Sequence, residues 1–441
     1  MRPSGASRPK RAPSETALEP TRVVLPSGLV ALIAPLPQSD RVAIAVHVRS
    51  GPRFEPEAQC GISHFLEHML HRGVPRHPSA HAQALAFEEL GSELSAATYP
   101  DYTVLSATAP EETAHAVVAL LGEVCRAPLF GDIEIERRIV REEILESLND
   151  DGVVVDPDEI LVDLAFPDHG LGRSITGPLE ALERFDRAML EAVHRSHYAA
   201  SGMVVSVAGA VDRERIVHEI RTAFDGLPTG EPPNAGPPPP PPRVPRFRFV
   251  KDTTSQTALR VGFRGPGERD PLEPATELLL RVLDDGMSAR LYHRICDQLG
   301  LAYNVSAAYE TFSDAGLLSF ASECTHERAP ELLRELLAIA RTLAASGPTE
   351  AELEKVKRRL AWQLRAIARD PTELAAFLGR AELTGTAPTP RTRSDELVAV
   401  KREAVTRAAE ALFARDGLVV AAVGQLRARD QRAMEREVER F

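Results

Sequence analysis

Apolar and polar residues alternate along TRVVLPSGLVALIAPL from Thr21, along RVAIAVHVRSG from Arg41, and again along FRFVKDTTSQTALRVGFRG from Phe247. Gly or Pro bounds each segment, so the period of two predicts strands. Longer stretches follow in which apolar residues recur every three or four positions, as in EETAHAVVALLGEVCRAPLF, EALERFDRAMLEAVHRSHY and PTEAELEKVKRRLAWQLRAIARD. These predict amphipathic helices. VVSVAGAVDRERIVHEIRTAF, from Val204, reads as a buried strand, a turn and a helix, and LVVAAVGQLRARDQRAMEREV, from Leu418, repeats that order. A duplication follows from the repeat. Between the copies, EPPNAGPPPPPPRVPRF over residues 231–247 reads as an extended polyproline linker, because proline fixes φ and removes backbone donors. The pattern predicts an α+β protein of two homologous sandwich domains, residues 21–230 and 248–441, each with helices over a mostly antiparallel sheet.

Composition changes this picture little. The 441 residues are 43% apolar and 26% charged, the profile of a globular chain. A formal charge of −12 argues against a sequence-independent hold on nucleic acid. No apolar run approaches a membrane span. Cys60, Cys125, Cys296 and Cys324 are scattered and form no CxxC pair, which points to a reducing, cytoplasmic setting. Residues 1–20 carry Arg2, Arg8, Lys10 and Arg11 without the apolar core of a secretory signal, and read as a disordered basic tail.

The chemistry concentrates in GISHFLEHML, residues 61–70. Ile62, Phe65, Leu66, Met69 and Leu70 form one apolar face, so His64 and His68 fall one turn apart on another, with Glu67 beside them. Two imidazoles at that spacing suit a zinc ion, and Glu67 is placed to take a proton from water. A third ligand has to come from elsewhere. In DIEIERRIVREEILESL, from Asp132, the expected buried stripe is Ile133, Ile139, Val140, Ile144 and Leu148, with Glu136 and Glu143 on the opposite face. A carboxylate from this helix would complete three protein ligands and leave a fourth position open, as in catalytic zinc sites.

HFLEHML followed by ERRIVREEI resembles the insulinase and pitrilysin family of zinc metallopeptidases, especially its branch similar to mitochondrial processing peptidase. AFPDHGLGRSITGPLEAL from Ala165 and SHYAASGMVVSVAGAVD from Ser196 extend the resemblance, which covers nearly everything from Thr21 on. It implies one zinc per chain held by His64, His68 and Glu143, with Glu67 as general base and Glu136 as an auxiliary acid. It implies that Ser95 and Ala96, in GSELSAATYPDYTVL, lie on a strand that pairs with the substrate backbone. Tyr303, in the segment DDGMSARLYHRICDQLGLAYNVSAAYE, would donate to the oxyanion. Relatives usually carry Arg where this chain has Cys296, so either Arg294 reaches in from the next turn or Tyr303 and zinc alone hold the oxyanion. Ser95 likewise stands where relatives often have Asn. The expected activity is hydrolysis of unfolded peptides or presequences inside a clam-like chamber, by a homodimer or a heterodimer with a related subunit. A non-catalytic subunit of the same fold and a peptidase dedicated to maturing one ribosomal peptide are the alternatives.

Overall fold

The computed structural model describes residues 19–441, so the basic tail falls, up to residue 18, outside the described residues. Among the described residues, eleven strands make two sheets. The first contains β1 (Thr21–Val24), β2 (Val30–Pro35), β3 (Arg41–Val48), β4 (Ser95–Thr98), β5 (Thr103–Pro110) and β6 (Met203–Gly209) in the order β1-β2-β6-β3-β5-β4. The second contains β7 (Arg246–Lys251), β8 (Thr257–Gly265), β9 (Val305–Thr311), β10 (Gly316–Cys324) and β11 (Leu418–Gly424) in the order β7-β11-β8-β10-β9. Without β1, the two orders are the same. Each sheet has one parallel pair, β2 with β6 and β7 with β11, and is otherwise antiparallel. The expected duplication and fold class are therefore observed.

Five helices of the first half position the site: α1 (Ile62–Met69), α2 (Ala80–Glu88), α3 (Ala114–Arg126), α4 (Ile133–Glu146) and α5 (Pro157–Ala165). The first four stay with the first sheet, where Phe65, Leu66, Val117, Leu121 and Val140 join one core with Ile44, Val46 and Val205. α5 does not. Its Ile160, Leu161 and Leu164 pack on Val419, Ala421 and Leu317 of the second sheet. Reciprocally, the second-half helix Pro371–Thr384 lays Leu374, Ala375 and Leu378 on Leu32, Ala43, Ala45 and Ala208 of the first sheet. Both exchanged helices begin Asp-Pro, with Asp156 and Asp370 accepting two backbone N–H groups each and proline filling the first helical position.

This exchange explains why β3, β6 and β11 lose the alternation of a half-exposed strand. Both of their faces are covered, so side chains of either parity are buried. The contact is close at Gly379, where a Cβ would lie 2.2 Å from His47 Nδ1 and 2.8 Å from Ser206 Oγ. Ser206 Oγ donates to the carbonyl of Ala375 at 2.6 Å and so ties helix to sheet. The proline-rich stretch carries no regular element until β7, which begins at Arg246, so Arg246 and Phe247 belong to a strand rather than to the expected linker. Its carbonyls at Pro239 and Pro242 accept from Arg264 and the Gly417 amide. Among the described residues no helix is long and apolar enough to cross a membrane.

Candidate metal centre

α1 begins where Gly61 adopts φ +91°, a left-handed conformation that suits glycine, and where a Cβ would meet the Thr176 carbonyl at 2.2 Å. Glycine offers no side chain to cap the helix. Glu55 supplies the cap from the preceding loop, its two carboxylate oxygens accepting from the amides of Gly61 and Ser63, each at 2.7 Å. Ile62, Phe65, Leu66 and Met69 are fully buried beneath. His64, Glu67 and His68 are thereby turned toward β4 and α4.

α4 departs from its expected stripe. Val140 and Ile144 are buried, but Ile139 is 47% exposed, and Glu136 is only 4% exposed. The reason is ionic. Glu136 turns inward because it serves two donors: His68 Nδ1 donates to Glu136 Oε1 at 2.7 Å, and the Arg72 guanidinium Nε donates to the other oxygen. Burial alone would raise the Glu136 pKa, but these bonds outweigh it and the pKa is lowered. An ionised carboxylate can only accept, so the proton of a neutral His68 sits on Nδ1 and its Nε2 carries the free lone pair.

That lone pair faces Glu143. His68 Nε2 lies 3.7 Å from Glu143 Oε2, and His64 Nε2 lies 3.5 Å from Glu143 Oε1. The candidate ligand atoms of the three residues all fall within 4.8 Å of one another. With zinc–ligand bonds of about 2.0–2.1 Å, neighbouring ligands of a tetrahedral ion stand roughly 3.4 Å apart, so the observed separations fit a shared cation. Among the described residues, no hydrogen bond competes for Glu143. Burial, and then the neighbouring His68, hold the His64 pKa down at about 3, so its imidazole is neutral and able to coordinate. His64 Nδ1 is buried without a hydrogen-bonding partner.

Glu67 is 9% exposed, and Thr98 Oγ1, at the end of β4, donates to its Oε2 at 2.7 Å. Burial raises the Glu67 pKa against that hydrogen bond. Ser95 and Ala96 sit on β4, the last strand of the sheet, paired on one side only with Ser106 and Leu105. Five expected residues thus come together: His64, Glu67, His68, Glu136 and Glu143.

Tyr303 and Arg294 do not join them. Tyr303 is 96% exposed and makes no hydrogen bond, while Arg294 donates to Glu335 at 2.8 Å and to Gln298 at 3.3 Å. Nor does the second half build its own centre. Its helix after β8 reads TELLLRVL against SHFLEHML, with Leu278, Leu279, Val282 and Leu283 buried as Phe65, Leu66, Met69 and Leu70 are. Glu277, Leu280 and Arg281 stand in the places of His64, Glu67 and His68. Sequence reading missed Glu55, Arg72 and Thr98; only Arg72, one turn beyond His68, carried a signal in its spacing.

Known proteins resemble the chain throughout. The insulinase (peptidase family M16) profile matches residues 30–179, and that of the peptidase M16 inactive domain matches residues 184–360. An uncharacterized zinc protease of Mycobacterium tuberculosis is 33% identical over 390 residues, 85% of this chain and 86% of the relative. One of Bacillus subtilis is 29% identical over 397 residues, 85% and 91% of the two chains. The crystal structure of a peptidase M16 inactive domain from Pseudomonas fluorescens superposes with a TM-score of 0.85 at 20% identity, covering 93% of this chain and 99% of the other. A protease from Helicobacter pylori gives 0.85 at 18%, covering 92% and 99%.

Proposed function

Because the chain belongs to the insulinase (M16) family of zinc peptidases, we propose that it is a zinc-dependent endopeptidase that cleaves unfolded peptides, with His64, His68 and Glu143 as the metal ligands, one zinc per chain. The observation that carries this reading is the convergence of two imidazole nitrogens and the Glu143 carboxylate, none engaged in a hydrogen bond, beside a buried Glu67. Zinc bound there would supply Lewis-acid polarisation of the scissile carbonyl and acidify water.

The chain's own groups do the rest. Glu67, its Oε2 fixed by Thr98, keeps Oε1 free to take a proton from the attacking water and return it to the leaving amine. Its raised pKa brings it nearer the working pH of a base. Glu136 orients His68. β4 offers its open edge, at Ser95 and Ala96, to the backbone of an extended peptide.

Tyr303, exposed and unpartnered, favours a site completed by a second chain, and we assign the oxyanion contact to Tyr303 of a dimer mate, with Arg294 of the same segment as the candidate guanidinium. Four free cysteines suit the cytoplasm. The same exposure favours one second reading, a subunit that turns over only beside a related partner. Metal analysis and a quenched-fluorescent peptide library test the proposal: about one zinc per chain, with cleavage abolished by chelator and by Glu67→Gln, is expected. Stoichiometric zinc without cleavage would favour the partner-dependent subunit, and absence of zinc would overturn both.

A further inference from the structure

A polar cavity of about 470 Å³, lined by none of the residues of the metal centre, opens where the two halves meet. Arg49 and Arg53, just after β3, form its first wall, and Arg269, between β8 and the following helix, faces them from the second half. Asn234 of the proline-rich stretch also lines it. Three guanidinium groups therefore converge from segments that the fold brings together.

Their charges are not equally matched. Arg53 is 4% exposed at its side chain and donates to Asp314 at 2.6 Å, which accounts for that pair. Arg269 donates only to the carbonyl of Thr384, at 2.7 Å. Among the described residues, Arg49 has no hydrogen bond or ion pair from its guanidinium, which stands 5.4 Å from the Phe54 ring centre, and its Nε is buried without a partner. Burial, then Arg53 and Arg269, lower the Arg49 pKa, the direction expected of crowded like charges. Asp101 and Asp314 offset part of this crowding, and Asp270, which also lines the cavity, accepts from the Leu272 amide as Asp101 does from the Ser313 amide.

We propose that this cavity binds a small oxyanion, a phosphate or carboxylate group, gripped by Arg49 and Arg269 and so bridging the two halves of the chain. A planar guanidinium with free N–H groups matches an oxyanion in two-pronged fashion, and a buried donor without a partner is costly until one arrives. Asp314 keeps Arg53 as the fixed side of the site.

Calorimetric titration of the full chain with inorganic phosphate and with malonate, at constant ionic strength in chloride, tests this. Saturable binding of one anion per chain is expected, weakened at least tenfold by Arg49→Gln and by Arg269→Gln. The stronger of the two anions identifies the source of the oxyanion. Absence of saturable binding, or binding that survives both substitutions as attachment at the metal centre would, overturns the proposal. Should the variants fail to fold, hydrogen exchange on the unaltered chain decides: the anion should slow residues 49–54 and 267–271 together, and slowing elsewhere or nowhere counts against the site.

Discussion

His68 Nδ1 lies 2.7 Å from Glu136 Oε1, and that carboxylate is shared with Arg72. A single buried acid thus fixes the tautomer and ring orientation of one candidate ligand. Glu136→Ala frees the imidazole to rotate and should lower zinc affinity about 10- to 100-fold, the usual cost of losing such a supporting carboxylate. Competition against a chromophoric chelator would read the change. Unaltered affinity would mean that packing alone holds His68.

Glu55 acts one step further from the ion. With both of its oxygens on the amides of α1, it replaces the side-chain cap that Gly61 lacks. Glu55→Ala should cost about 1–3 kcal/mol, since two buried amides lose their acceptor. The zinc-free chain should show the loss in its unfolding midpoint; a variant as stable as the parent would show that water caps the helix equally well.

The exchanged helix makes a packing prediction. At Gly379 the close approach to His47 and Ser206 leaves no room for a methyl group, so Gly379→Ala should push the helix Pro371–Thr384 off the first sheet at about 1–3 kcal/mol. Gly236→Ala, with nothing within 4 Å, is the control and should be neutral. Equal midpoints for the two variants would refute the tight contact.

His47 also sets a pH dependence. Burial, then Arg380, hold its pKa down at about 3, while an unfolded histidine titrates near 6.5. The folded state binds fewer protons between these values, so the His47 contribution is fully present above pH 6.5 and is lost as pH falls toward 3. Other buried groups titrate in the same range, so the comparison must be with His47→Gln. The stability gap between parent and variant should shrink by about 1.6 kcal/mol from pH 6.5 to pH 5, the slope approaching roughly 1.4 kcal/mol per unit once the unfolded histidine is fully protonated. A gap independent of pH would show that His47 protonates in place.

The legible parts of this molecule were those carried by local periodicity. His64, Glu67 and His68 could be placed together because α1 has a plain apolar face, and the repeated strand-turn-helix signalled the duplication. Ile139 was misassigned because an apolar residue was expected inside, whereas on α4 the buried place goes to Glu136, held there by His68 and Arg72. Glu55 lay in a loop without period. The helix exchange was invisible because the stripe on α5 tells that a face is buried, not which sheet covers it.

Tyr303 gives the sharpest test of a dimer. A phenol 96% exposed, on a segment without a hydrogen bond to the metal cluster, would under the proposed dimer be presented to that cluster by another chain. Chains carrying Glu67→Gln and chains carrying Tyr303→Phe should each be nearly inactive alone. Mixed, they form some dimers in which an intact Glu67 of one chain meets an intact Tyr303 of the other. Cleavage should therefore reappear on mixing and rise with protein concentration as subunits exchange. Two inactive preparations that stay inactive together, while sedimentation shows mixed dimers, would place Tyr303 outside the chemistry and leave the oxyanion to the metal alone.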